Sequence, residues 1–369
     1  VTYEIMRYDP EMMPQLARLQ KHLLGPSARR NGRYLEWKYE QNPYLPQPVI
    51  YVGLHAGRVV AMRGLFGAQW QMGRTGICEV LPYVDDGVVH PAHRDRGLIK
   101  RIMQLAFREM AEEGFSHLIN LSAGPTSFFM FLEDGWRSVA HMGVAKHSGS
   151  DGAATALSRA RSSLRDSVRA AARRVPIVRR LALERAWSRH FGGTADGCVV
   201  RDTPRPGAMA QLSQTLSSDR FGHVRGPEFF RWRFRNPYRQ YHFVFSEREG
   251  RLDGYLVLKT PLGALPDEAV GSIVDWAADT RETEERLFRA ALRYPCTSVD
   301  VWTATLKEGT RAMLTKLGFE PVRAVGARRF VPALLIRALQ DSENPWQLGG
   351  RDLRDPASWN VRLIDSMHG

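Results

Sequence analysis

Cysteine is scarce in this sequence. Cys78, Cys198 and Cys296 lie far apart in 369 residues and form no Cys-x-x-Cys pair. That excludes a disulfide-stapled scaffold and reads as reduced thiols in a cytosolic protein. Long apolar runs are missing as well. No stretch reaches the ~20 residues of a membrane-spanning helix, and the N-terminal residues show no signal peptide. Acidic side chains are in deficit, with 39 Asp and Glu against 52 Lys and Arg and a formal net charge of +13. Such an excess implies an anionic partner or surface. Core-forming residues are in full supply. The hydrophobic fraction of 43% is too high for a disordered chain, and the length suits two domains.

The most informative stretch is Val88-Val89-His90-Pro91-Ala92-His93-Arg94-Asp95-Arg96-Gly97-Leu98-Ile99-Lys100. The β-branched pair ends a strand, and Pro91 with the polar residues after it makes a short turn. Ile99, Ile102, Met103, Ala106 and Phe107 then recur at helical spacing, so a helix starts near Gly97. A helix leaving an Arg-x-Arg-Gly loop presents free amides and the positive end of its dipole, a geometry that binds phosphate. Gly97 lets the backbone come close to a ligand, and Arg94, Arg96 and Lys100 add charge. Taken alone, an Arg-x-x-Gly turn is as well read as an ordinary solvated strand–turn–helix.

The stretch resembles the central motif of the GNAT superfamily of N-acetyltransferases: a strand ending in Val-x-Pro, then Arg/Gln-x-x-Gly-x-Gly/Ala, then a helix. Arg94 and Gly97 match, while Ile99 stands where the family carries a small residue. The resemblance implies that the loop from Arg94 through Asp95, Arg96, Gly97, Leu98 and Ile99 to Lys100 holds the pyrophosphate of acetyl-CoA, the co-substrate. It implies that the strand end Gly87-Val88-Val89 offers a backbone amide to the thioester carbonyl. A carboxylate or an ordered water on that strand takes the amine's proton, with Glu79, Asp85 and Asp86 as candidates. Asp85 and Asp86 are adjacent, so in a regular strand they face opposite sides and only one can serve.

Many members of the family carry a tyrosine four residues before the glycine of a closing Gly-Phe or Gly-Trp, as a general acid. Counting back from Gly135-Trp136 gives Phe131, which has no hydroxyl, so the thiolate leaves with solvent help or another group such as Tyr83 substitutes. The next helix start, Ser122-Ala-Gly-Pro-Thr126-Ser127, lacks the asparagine often found there. Thr126 or Ser127 can replace its hydrogen bond to CoA, or can simply cap the helix. His90 and His93 are spaced His-x-x-His, but no further ligand cluster completes a metal site.

In chain order the pattern reads as a strand at 2–8, a helix opened by Pro10, a short helix at 33–41 and a hairpin around His55–Arg58. A strand from Val80 to His90, the phosphate-loop helix, a strand at 115–121, a helix at 126–133 and a last strand to about Lys146 follow. That order is one whole GNAT domain, 1–147. Residues 148–198 read as an Arg-rich helical linker. Between Arg159 and His190 stand ten Arg against Asp166 and Glu184, beside the apolar stripe Leu157, Leu164, Val168 and Val175. This segment is either a docked helix with a solvated face or a contact to an anionic membrane surface. Nucleic acid is the weaker reading, because no nucleic-acid motif accompanies the charge.

The first half is then echoed. Tyr34-Leu-Glu-Trp37-Lys-Tyr39-Glu-Gln-Asn42-Pro43-Tyr44 matches Phe229-Phe-Arg-Trp232-Arg-Phe234-Arg-Asn236-Pro237-Tyr238, and Gly135-Trp136 matches Gly318-Phe319. Residues 199–335 therefore read as a second, degenerate GNAT-like domain, and 336–369 as an extended tail. Where the first half has its phosphate loop, the second has Asp279-Thr-Arg-Glu-Thr-Glu-Glu285, without glycine and with four acidic side chains, which would repel pyrophosphate.

The expected fold class is α/β (α+β): two tandem GNAT-like domains, each a mixed, mostly antiparallel sheet flanked by helices, joined by a basic helical insert. The expected activity is acyl-CoA-dependent N-acyltransfer to an amine, small or carrier-linked, with an amino sugar of a bacterial surface-polysaccharide pathway as one acceptor class. Two alternatives stay open: a Fem-type transferase that uses aminoacyl-tRNA, and a non-catalytic CoA-binding scaffold. The expected location is the cytoplasm, with peripheral attachment to the inner face of the membrane. The oligomeric state is left open, a homodimer included.

Overall fold

The computed structural model describes residues 2–73, 76–148, 197–216, 219–262, 269–294, 296–322, 331–340 and 342–367. The basic segment 159–190, expected to be helical, lies outside the described residues. In chain order the elements of the first half are β1 (Glu4–Arg7), α1 (Met13–Leu19), α2 (Ala28–Leu35), β2 (Val49–His55), β3 (Arg58–Met72), β4 (Cys78–Val89), α3 (Leu98–Glu112), β5 (His117–Asn120), α4 (Pro125–Glu133), β6 (Arg137–His141) and β7 (Val144–Ser148). There follow β8 (Cys198–Arg201), α5 (Pro206–Thr215), β9 (Phe221–His223), α6 (Pro227–Arg233), β10 (Arg239–Arg248), β11 (Arg251–Pro261), β12 (Val270–Ala278), α7 (Arg281–Leu292), β13 (Ser298–Trp302), α8 (Glu308–Lys316), β14 (Glu320–Pro321) and β15 (Ala333–Ala338). The short strands β16 (Gln347–Leu348), β17 (Arg351–Asp352) and β18 (Trp359–Asn360) follow.

These elements form two compact units. The first is made of 1–142, 217–237 and 330–361. Its sheet runs β1-β2-β3-β4-β5-β15-β6, antiparallel except where β4 meets β5, so it is mixed and mostly antiparallel as expected. One face packs under α3 and α4 around Leu65, Val84, Ile102, Ala106, Phe131 and Trp136. The second unit is made of 143–216, 238–329 and 362–369, with a sheet in the order β14-β7-β13-β12-β11-β10-β8. Its core joins Leu256, Ile273 and Val301 to Leu287 and Phe288 of α7 and to Phe319.

The expected boundaries at 147 and 335 need correction. The stretch read as one last strand to Lys146 is broken at Met142-Gly143, where Gly143 takes a left-handed φ of 50°. Beyond the break, β7 pairs with β13 and β14 of the second unit. The residues after Pro332, read as an extended tail, begin instead with an interior strand. β15 fills the slot between β5 and β6 of the first sheet, and Ala333, Leu334, Leu335 and Ile336 are fully buried there. A run of four apolar residues belongs in a sheet buried on both faces, and that is where it goes. Segment 217–237 also belongs to the first unit: β9 pairs with β3, and β18 pairs with β9.

The helix read at 33–41 starts earlier, at Ala28, where the Ser27 hydroxyl accepts from the Arg30 amide at 3.3 Å. It then widens into a π-helical turn over Glu36–Glu40. The wide turn puts three consecutive side chains, Trp37, Lys38 and Tyr39, into the interior at once. An α-helix with its single apolar stripe would bury fewer.

Candidate active site

The site is built on β4. This strand pairs with β3 along its length, but its pairing with β5 is confined to Tyr83 opposite Ile119. Beyond that point the two strands part, and the β4 edge from Asp85 to Val89 has no strand paired to it on that side among the described residues. Asn120 closes the apex: its side-chain amide donates to the Val84 carbonyl at 2.6 Å, and its carbonyl accepts from the amides of Ser122 and Ala123. The chain thereby turns away from β4 into α4. Gly87, Val88 and Val89, expected to face the thioester, lie on this open stretch.

At the far end of β4 comes the loop. Asp95 and Gly97 both adopt left-handed φ, 58° and 66°, and Gly97 is the N-cap of α3 without a side-chain cap bond. Alternating handedness of this kind gathers successive amides into a concave anion-binding surface. A Cβ on Gly97 would meet nothing within 4 Å, so the loop is open on that side. Arg94, Asp95, Arg96, Gly97 and Lys100 are exposed, whereas Leu98 is buried and Ile99 packs against the core. Ile99 can therefore stand where the family has a small residue, because its side chain points inward. The loop's open amides, free helix end and three cationic side chains fit a pyrophosphate.

The second unit treats the corresponding helix differently. Thr280 caps α7 by accepting from the Thr283 amide at 3.1 Å. Glu284 then accepts from Trp276, Arg281 and Thr310 over the helix start. A capped, acidic helix end does not cradle phosphate. The unit keeps the strand geometry nonetheless. β12 shifts register against β11 beside Asp275, and this buried carboxylate accepts from Tyr255 at 2.8 Å and Arg362 at 3.1 Å.

In the first unit the equivalent irregularity brings the two candidate carboxylates together. The register with β3 shifts between Met62 and Gly64, and Asp86 sits at a φ of 50°. Alternation fails at this bulge, so Asp85 and Asp86 do not face opposite sides as the regular-strand reading requires. Both reach the same ammonium: Lys38 Nζ lies 2.6 Å from Asp85 Oδ2 and 2.8 Å from Asp86 Oδ2. Asp86 also accepts from the Tyr39 hydroxyl at 2.7 Å and from Tyr34 at 3.3 Å. Burial pushes the Asp86 carboxyl above its usual range against the pull of Lys38, and the charge of Asp85 pushes the same way. Burial works to lower Lys38, but the two carboxylates outweigh it and raise its pKa. Asp85 is the more exposed carboxylate, with 14% of its side chain open against 4% for Asp86.

The other expected residues lie apart from this cluster. Glu79 is six residues up the strand, roughly 20 Å from Asp85 at strand spacing. It accepts from Ser116 at 2.5 Å. Tyr83 is buried in an aromatic column with Phe66 and Trp70. Its neighbour Val84 packs with Phe131 in the opposite face's core. Alternation therefore puts the Tyr83 ring away from Phe131. The Ser127 hydroxyl is engaged at the start of α4, accepting from the Gly124 amide at 2.8 Å and donating to the Gly124 carbonyl at 3.2 Å. That is the capping role. His90 and His93 contact each other at 5.7 Å between ring centres, and Tyr3 pairs with His93. Among the described residues no group of three or more His, Cys, Asp or Glu is arranged to hold a metal.

Two residues of the site were not singled out from sequence. Lys38 lay inside the echoed motif, and only the fold shows that it holds both carboxylates. Arg63 lies on β3 with its guanidinium over the Phe131 ring, 5.1 Å from the ring centre, and a Cβ on Gly87 would overlap its Nη1. The available signal was a lone arginine within the apolar run Val59-Val-Ala-Met-Arg63-Gly-Leu-Phe66.

Residues 16–127 match the acetyltransferase (GNAT) family. No curated protein matches the chain significantly. Among solved structures, it resembles a GCN5-related N-acetyltransferase from Anabaena variabilis, with 11% identity, 92% of this chain and 73% of the other covered, and a TM-score of 0.61. A probable N-acyltransferase from Enterococcus faecalis gives 11%, 92%, 73% and 0.58. A tandem GNAT protein from the clavulanic acid biosynthesis pathway gives 15%, 93%, 100% and 0.52. At such identities the likeness speaks for the fold, and the family match speaks for the first unit's open strand and loop. Residues 16–127 are thus similar to the GNAT acetyltransferase family, and the chain shares its fold with a tandem GNAT protein.

Proposed function

We propose that the protein transfers an acyl group from acetyl-CoA, or a related acyl-CoA, to an amine, and that only the first unit binds CoA. The observation that carries this is the open β4 edge beside a glycine-turned loop in the first unit, against a capped acidic helix end in the second. Acyl-CoA supplies an activated thioester carbonyl. The loop amides with Arg94, Arg96 and Lys100 hold the pyrophosphate. The β4 edge at Gly87–Val89 offers an N–H to the carbonyl oxygen, which gains charge as the amine attacks. The proton released from the amine goes to the Asp85–Asp86 pair or to water beside it, and Asp85, being the more open, is the first acceptor. Asp86 beside it is raised above the usual carboxylate range, which suits the pair to holding a proton near neutral pH.

The acceptor class we favour is an amino sugar, free or on a carrier. Support comes from the sequence alone, in the pairing of tandem domains with a strongly basic segment that suits an anionic surface. Calorimetry with acetyl-CoA tests the donor half of the proposal. One site per chain is expected, lost in Gly97→Glu, which places a side chain and a negative charge against the loop. Two equivalent sites would overturn the assignment to the first unit. An amine screen with thiol release as the readout tests the acceptor half. Loss of the ester-linked amino acid from aminoacyl-tRNA, read separately without CoA, addresses the Fem-type alternative, and CoA binding without turnover on any amine would favour the scaffold reading.

A further inference from the structure

The family's tyrosine acid is absent here, because its place is taken by Phe131. A cation occupies that neighbourhood instead. Arg63 is 8% exposed, stacked over the Phe131 ring and pressed against Gly87 of the open strand. Its Nε is buried without a hydrogen-bond partner. No hydrogen bond or ion pair ties the guanidinium to any described residue. Asp85 and Asp86 act on it only at longer range, and burial outweighs them in making its charge less favourable. Holding a largely buried guanidinium without an ion pair is costly to a fold. The position makes sense when negative charge appears beside it.

We propose that Arg63 is a catalytic residue of acyl transfer, stabilising the charge that develops first on the thioester oxygen and then on the departing sulfur. The inference rests on the acyl-CoA reading above. In the step it serves, the amine nitrogen bonds to the thioester carbon and the carbonyl π pair moves onto oxygen. When that pair returns, the carbon–sulfur bond breaks and its electrons leave on sulfur. The ammonium proton passes to the Asp85–Asp86 pair or to water, and the thiolate is released or takes a proton from solvent. Arg63 keeps all its protons and contributes its field. In a water-poor site such a preorganised charge acts far more strongly than in solution. Arg63 thus supplies as charge what the missing phenol would supply as a proton.

The test reads the sulfur without needing an acceptor. CoA labelled with carbon-13 next to sulfur is bound to the protein, and its chemical shift is followed against pH. A neighbouring cation lowers a thiol's pKa. Bound to the wild type, the CoA thiol should ionise about tenfold more readily, close to one pH unit lower, than when bound to Arg63→Met. Arg63→Gln carries the comparison if the methionine variant does not fold, and Arg63→Lys, which keeps the charge, should stay near the wild type. Given an amine acceptor, kcat in the neutral variants should fall by roughly 100-fold with the KM for acyl-CoA little changed. Equal thiol ionisation in the wild type and a neutral variant that both bind CoA would overturn the role of Arg63 and leave the acyl-CoA reading standing. Failure of the folded wild type to bind CoA would overturn that reading, and this inference with it.

Discussion

Trp37 and Trp232 exchange hydrogen bonds. Each indole N–H donates to the other's backbone carbonyl at 2.6 Å, and the rings stack with centres 5.3 Å apart. The two residues head the two copies of the echoed motif, Trp37-Lys38-Tyr39 and Trp232-Arg233-Phe234, and both lie in the first unit. They meet as equivalent residues meet across a two-fold axis, each giving what it receives. Lys38 and Arg233, next in each copy, are both fully buried.

Replacing either tryptophan by phenylalanine should therefore remove one of the two indole bonds and cost about 0.5–1.5 kcal/mol. The double variant should cost less than the sum of the singles, because each change already loosens the stack that the other needs. Urea unfolding of the four proteins measures this. Strict additivity would mean that the two bonds act separately.

Lys38→Met should be more damaging, by about 3–5 kcal/mol at neutral pH, because it leaves two adjacent carboxylates buried beside each other. The pH dependence gives the diagnostic. Asp86 is raised in the folded state, so the folded protein binds its proton more readily than the unfolded chain does. The Asp86 contribution is greatest at low pH and is lost as pH rises from the ordinary carboxylate range through the higher folded value. Without Lys38 to oppose it the shift grows, and the variant should recover stability on mild acidification. Denaturation midpoints at several pH values check this. A deficit that does not change with pH would remove the carboxylate pair as its cause.

For catalysis, Asp85→Asn is expected to lower kcat and flatten the acidic limb of the pH–rate profile. In the wild type that limb should stand above the usual carboxylate range, because the pair shares its protons and Asp86 is raised. Glu79→Gln should leave the profile unchanged. If Asp85 and Asp86 can both be neutralised without loss, the proton goes directly to water.

The segment 159–190 is strongly basic. It carries ten Arg against Asp166 and Glu184, and each Arg near an anionic bilayer contributes on the order of 1 kcal/mol. The protein should sediment with anionic vesicles at low salt and with neutral vesicles hardly at all. Changing Arg161, Arg165, Arg169 and Arg173 to Gln should abolish the difference, and equal binding by that variant would take the membrane out of the account. Among the described residues no helix is long and apolar enough to cross a membrane.

What could be read from the sequence was what is local. The phosphate loop was legible because its turn, charges and helix periodicity occupy one stretch, Val88 to Phe107. The acidic replacement at Asp279–Glu285 was legible for the same reason. Strand partners were not, because an apolar run such as Ala333–Ile336 announces burial and not its neighbours. The meeting of Asp85 and Asp86 on Lys38 depends on a bulge, which alternation cannot foresee. Arg63 was visible only as a misplaced charge, since its significance lies in what is absent around it.

The positions of β7 and β15 bear on how the protein is made. The first sheet lacks the strand between β5 and β6 until residues 333–338 leave the ribosome, almost two hundred residues after β6. Until then an apolar slot with unpaired edges stands open while the second half of the chain is translated. Translation at ~5–20 residues per second makes that wait on the order of ten seconds or more. Ordinary domain-by-domain maturation, N-terminal first, is thus closed to this protein. Its first unit completes its sheet only after the strands of the second unit up to β14 have been made.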